Sequence, residues 1–158
     1  MEGGAANMKY RTINEWEHFD FSEAYISDIQ KINGCFQMTL DQVVICPENS
    51  KNRDIRKMRT NGLLFQIQDG NVESLIEEGY RVYNADGKLL HQYEDQEIPP
   101  ESWNELLKSF TDGECSLYQV EKSENLYTYM IDASNDHTYI LRVSGARDIE
   151  EWDKFFNL

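Results

Sequence analysis

Asn33-Gly34 stands between two apolar-rich runs, 21–32 and 35–46, and constrains this chain more than any other feature. A two-residue turn of this kind requires positive φ at both positions, which Asn and Gly tolerate best, so the two runs are predicted to pair as an antiparallel hairpin. Beyond the turn, Phe36, Met38 and Leu40 alternate with Gln37, Thr39 and Asp41. Period two puts the first set on a buried face and the second on a wet one. Val43, Val44 and Ile45 break the alternation, as a bulge or a segment covered on both faces would. Pro47 cannot donate to a ladder and ends the strand.

The same signals recur downstream. Strands are predicted over 63–68, 72–76, 115–121, 126–133 and 138–144. Two more, 80–83 and 88–93, pair around Asn84-Ala85-Asp86-Gly87. Two helices interrupt them. The first follows Pro99-Pro100, carries Trp103, Leu106, Leu107 and Phe110 at helical spacing and stops near Gly113. The second spans 148–156, with Ile149, Trp152, Phe155 and Phe156 on one side. Residues 47–61 form a long polar connection with a helical turn around 54–59. The expected fold class is α+β, mainly antiparallel β: a sandwich-like or strongly curved sheet of about eight strands with two covering helices. Residues 1–8 read as a flexible N-terminal tail and 9–158 as a single globular domain.

Charge narrows the partners. The net charge is −14, yet five of the 15 basic residues (Lys51, Arg53, Arg56, Lys57 and Arg59) lie within nine positions, opposed there by Asp54 alone. An acidic body opposes the phosphate attraction on which nonspecific nucleic-acid binding rests, and it resists anionic membranes. Neither nucleic acid nor membrane is therefore an expected partner. No apolar run reaches the roughly 20 residues that a spanning helix needs. The first residues also lack the apolar core of a secretory signal. Three cysteines, Cys35, Cys46 and Cys115, are an odd number without close pairing, which fits reduced, inert thiols in a cytoplasmic protein.

Several clusters bear on chemistry. His18 and Asp20 share a face if extended, which suits a metal or an acid/base pair. Aromatic neighbours such as Trp16, Phe19 and Phe21 read instead as core anchors. Asp132, Ser134 and His137 hold triad residue types, but Asn135-Asp136 is ordinary turn chemistry and no Gly-x-Ser-x-Gly elbow accompanies Ser134. His91 would join His18 and His137 in a metal site only if the fold brought all three together. Tyr118, Tyr127, Tyr129 and Tyr139 either line a ligand cavity or pack across strands; the second is the commoner use of tyrosine in antiparallel sheets. No catalytic residue, metal or cofactor is assigned from these patterns.

The run Phe19-Asp20-Phe21-Ser22-Glu23-Ala24-Tyr25-Ile26, followed by the alternating hairpin, resembles the opening strands of small acidic bacterial domains, some of them toxin-immunity proteins. Those openings often read Phe-His-Asp-Ala/Ser and then an aliphatic residue. Here the equivalent histidine is absent and the aspartate is displaced. The resemblance implies a domain that works by binding another protein. The expected function is accordingly a noncatalytic binding or protein-interaction domain, with Arg53, Arg56, Lys57 and Arg59 as the contact for an acidic partner. The alternatives are a small-ligand-binding sheet protein with an aromatic-lined cavity and, third, a hydrolase-type enzyme using Asp/Glu and His.

Overall fold

A computed structural model describes residues 8–158. Of the tail expected over residues 1–8, all but Met8 lies outside the described residues. The chain begins with β1 (Tyr10–Ile13), β2 (Phe19–Asp20), β3 (Ala24–Ile32), β4 (Cys35–Asp41), β5 (Val43–Ile45) and β6 (Met58–Thr60). It continues through β7 (Leu63–Gln68), β8 (Asn71–Glu77), β9 (Tyr80–Tyr83), β10 (Leu89–Tyr93) and β11 (Gln96–Glu97). After α1 (Trp103–Ser109) come β12 (Ser116–Ser123), β13 (Leu126–Asp132), β14 (Thr138–Ser144), β15 (Arg147–Trp152) and β16 (Phe156–Asn157).

Ten of these strands form one antiparallel sheet in the order β1-β15-β7-β4-β3-β12-β13-β14-β8-β11. At its centre is the hairpin expected from Asn33-Gly34, whose φ values of 52° and 76° are the positive pair that such a turn needs. Phe36, Met38 and Leu40 are buried, as their period demands. The sheet is strongly curved. Three strands separate β7 from β13, a span of about 19 Å in a flat sheet, yet the rings of Phe65 and Tyr129 lie 5.8 Å apart. Register shifts at 26–28, 117–119 and 142–143 mark bulges, which increase local twist and help the sheet to roll. The roll does not close, since β1 and β11 remain its two edges.

The break in alternation after Asp41 is a change of sheet. Gln42 adopts a φ of 59°, and β5 leaves β4 to join a second sheet ordered β16-β6-β5-β2. Hydrogen bonds from Gln42 N to Asn61 Oδ1 and from Gly62 N to Asp41 Oδ1 fasten this corner. Phe19, Phe21 and Trp152 pack edge-on or stacked beneath it and join the core.

Two expectations fail here. The sheet holds ten strands rather than about eight. Among the described residues there is also one α-helix, not two: α1 buries Leu107 against the sheet, with Phe110 just past its end against Tyr139. The segment expected as a helix over 148–156 is instead β15 as far as Trp152, paired with β1 on one side and β7 on the other, then a short bend and the start of β16 at Phe156. The spacing of Ile149, Trp152 and Phe155 suggested a helix because acidic residues occupy the positions between. In the strand, Asp148, Glu150 and Trp152 share one face by period two, and all three are buried. A sequence reading assigns carboxylates to solvent; here tertiary partners satisfy them.

Candidate functional site

The basic segment lies in the connection between β5 and β6. The helical turn expected over 54–59 does not form: bends lead directly into β6. Two buried asparagines shape the loop instead. Asn52 donates through Nδ2 to the carbonyls of Ile45, Cys46 and Arg56 at 3.0–3.3 Å, and its Oδ1 accepts from Asp54 N at 2.9 Å. Asn49 accepts from Lys51 N at 2.9 Å. Short polar side chains compete well with backbone partners in such turns, which explains why this segment is a loop and not a helix.

A third fastening comes from the 3₁₀ turn Trp16–His18. The Glu15 carboxylate just before it accepts from Ser50 N at 2.8 Å, from Ser50 Oγ, and lies 3.1 Å from His18 Nδ1. Burial pushes Glu15 up, but the hydrogen bonds from Ser50 and His18 outweigh it and hold the carboxyl below its ordinary value. His18 thus faces Glu15 and not Asp20, whose carboxyl is lowered by Ser22 and more weakly by the charge of Lys57.

What this scaffold presents is apolar at the tip and basic around it. Ile55 is 93% exposed, with exposed Lys51, Arg53, Arg56 and Lys57 on either side. Arg56 pairs with Asp54 at 3.2 Å, which lowers the Asp54 carboxyl and raises the guanidinium. Arg59 stands apart: it is half-buried in β6, opposite Val44 and Phe156. Of the four residues expected to form the contact, the structure therefore brings Arg53, Arg56 and Lys57 to the loop surface and places Arg59 in a sheet. A small recess beneath the loop is lined by Tyr10, Met58 and Phe155 together with Lys51–Asp54 backbone and side chains. Ile55 escaped the reading of charge; the visible signal was a lone aliphatic residue inside an otherwise polar run.

The other clusters do not converge. His137 Nδ1 lies 3.4 Å from Glu77, His91 is exposed beside Tyr93, and His18 belongs to Glu15. Ser134 Oγ donates to Asp112 at 2.6 Å, Asp132 accepts from Thr138, and neither engages His137. Among the described residues no group of three or more His, Cys, Asp or Glu is arranged to hold a metal ion. Cys35, Cys46 and Cys115 are free thiols raised by burial. Tyr127, Tyr129 and Tyr139 are core residues, and Tyr118 is half-buried.

One polar assembly was invisible in the sequence. The Tyr127 hydroxyl donates to Asp148 Oδ1 at 2.7 Å across the roll, and Trp16 N donates to Asp148 Oδ2 at 3.1 Å. Thr12 Oγ1 donates to Glu150 Oε1 at 2.7 Å. Burial first, and then the neighbouring Asp148 carboxylate, push Glu150 up to about 10, which favours its protonated form at neutral pH. These contacts clasp β1 and the 3₁₀ turn onto β15. That chain of contacts continues through Glu15 to the basic loop. Comparison with protein-family models, with curated proteins and with solved structures finds no significant match.

Proposed function

We propose that this chain is a noncatalytic protein-interaction domain that engages an acidic partner through the loop between β5 and β6. The observation that carries this is Ile55, 93% exposed at the apex of a loop fastened by Asn49, Asn52 and Glu15. Solvation alone gives no reason to hold an aliphatic side chain in water on a rigid support. A central apolar anchor ringed by cations is, however, the usual anatomy of a charge-steered contact. Inhibition of a bacterial toxin by covering it, as immunity proteins do, is the specific form of this reading that the resemblance of residues 19–26 supports, and it would take place in the cytoplasm. Arg53, Arg56 and Lys57 supply the steering charge; Arg59 supports the loop from β6.

The test is a photocrosslinker at position 55 in cell extract, followed by purification of whatever acidic protein it captures and titration against it. Reversal of Arg53, Arg56 and Lys57 together should slow association and remove its salt dependence. Unchanged affinity in that variant, with the fold intact by circular dichroism, overturns the reading.

A second reading rests on a separate feature. A cleft of about 450 Å³ lies between α1 and the β3–β4 hairpin, floored by Ile29, Phe36, Val72 and Leu107, with exposed Lys31 and Lys108 beside it. Its volume is in the range of small-ligand sites, which run to about 300–1,000 Å³. Saturable binding of an anionic apolar dye, abolished by Asn104→Trp, would favour it; binding unaffected by that change would not.

A further inference from the structure

β12 pairs with β3 only through Ser116 and Leu117, after which the two strands part. A bulge at this point leaves Tyr118 without a partner on β13 and bends the strand. Residues of the segment 16–21 border the gap, and a cavity of about 380 Å³ lies between. Phe19 and Phe21, buried and stacked at 6.1 Å, line it together with half-buried Trp16 and Tyr118. The backbone around it is held in place. β2 pairs with β5 through Phe19 and Asp20, Trp16 N donates to Asp148, and Cys46 N donates to the His18 carbonyl at 2.9 Å.

Two carboxylates join the lining, exposed Glu17 and half-buried Asp20. Ser22 N donates to Asp20 Oδ1 at 2.9 Å and holds that carboxyl below its ordinary value, so it is ionised at neutral pH. Lys57 acts on it more weakly and does not line the cavity; among the described residues, none of those that do is Lys or Arg. Four aromatic side chains and two carboxylates, with no cation among them, define the charge of the occupant. Aromatic rings attract a cation through their quadrupole, and the two acids add to the same field. A primary ammonium or a guanidinium would bring several N–H donors, each needing an acceptor, against a wall that is mostly ring. A quaternary ammonium has no donor to satisfy, and its methyl groups bury against the rings. We infer that this cavity binds a small quaternary ammonium cation of the choline class. A phosphate next to the ammonium would meet Glu17 and Asp20, so the free cation is selected over its phosphate ester. The site is independent of the loop between β5 and β6, which takes the opposite charge.

Calorimetric titration of the full chain with choline chloride at constant ionic strength tests this. Saturable binding is expected with a Kd of about 1 mM or tighter. The neutral isostere, in which a tert-butyl group replaces the trimethylammonium, and phosphocholine should each bind at least about tenfold more weakly. Trp16→Leu, which keeps apolar bulk but removes the ring, should weaken choline binding by about threefold to tenfold. So should Glu17→Gln combined with Asp20→Asn, a pair that keeps the acceptor for Ser22 N and changes no buried side chain. Thermal melts accompany each variant; if Trp16→Leu fails to fold, the acid pair carries the test. An absence of saturation by about 20 mM choline overturns the inference. So does an isostere or a phosphate ester that binds equally well. An affinity that either folded variant leaves unchanged overturns it too, because choline would then sit elsewhere on the acidic surface.

Discussion

β15 and the loop between β5 and β6 treat charge in opposite ways. β15 buries Asp148, Glu150 and most of Glu151, although an isolated carboxylate is among the costliest groups to remove from water. The loop exposes four cations and, beside them, an isoleucine that water does not favour. Each arrangement runs against the preference of its residues. What differs is the compensation. In β15 every acid has a partner: Tyr127 and Trp16 for Asp148, Thr12 for Glu150, and Gln66 Nε2 for Glu151 at 2.6 Å. Ile55 has none. The buried polar group with its partners is architecture, and the exposed apolar group without one is the better guide to a missing contact.

The largest effect that would break this contrast is expected at Asp148. Asp148→Ala leaves the Tyr127 hydroxyl and Trp16 N without their acceptor. At about 1–3 kcal/mol for each orphaned donor, partly relieved by rearrangement, the loss should be about 3–5 kcal/mol in urea denaturation. A loss below about 1 kcal/mol would mean that the assembly is not the clasp described.

Glu150 sharpens the comparison through pH. Its folded-state pKa of about 10 stands above the ordinary 4.5, so the folded protein holds a proton that the unfolded chain has released. Its contribution is present in full below about pH 4.5 and is lost as pH rises toward 10, at up to about 1.4 kcal/mol per unit. Glu150→Gln copies the neutral acid: it removes the titrating group while its carbonyl still accepts from Thr12. Denaturant midpoints measured from about pH 6 to about pH 9 should therefore fall less steeply in the variant than in the parent chain. Parallel slopes would show that Glu150 is ionised in the fold.

At the loop, Asn52→Ala removes the amide that gathers three carbonyls and should destabilise the chain by about 1–2 kcal/mol. Proteolysis between residues 49 and 57 should also become faster while the ten-stranded sheet keeps its circular dichroism. Ile55→Asp should change stability by no more than about 0.5 kcal/mol, while affinity for a captured partner falls at least tenfold. Intact affinity would show that the exposed isoleucine is incidental.

Much of the fold could be read from periodicity. Asn33-Gly34 and the alternation after it defined the central hairpin, and β7, β9 and β14 fall where turn residues and apolar runs place them. Local chemistry suffices there, because turn φ values and period two are properties of a few adjacent residues. The Lys51–Arg59 concentration was equally visible as a site of unusual charge. The conformation of that site was not, since it depends on Asn52 finding the carbonyls of Ile45 and Cys46 and on Ser50 meeting Glu15, 35 positions away. The same limit explains the missing second helix. Whether 148–152 becomes a helix with wet acids or a strand with buried ones turns on Thr12 and Tyr127, supplied by distant strands. Residue order set the periods, the turns and the charge map of this protein. Only the rolled sheet decided which carboxylates are buried among partners and which side chain is left in water, because burial is a property of what arrives from elsewhere in the chain.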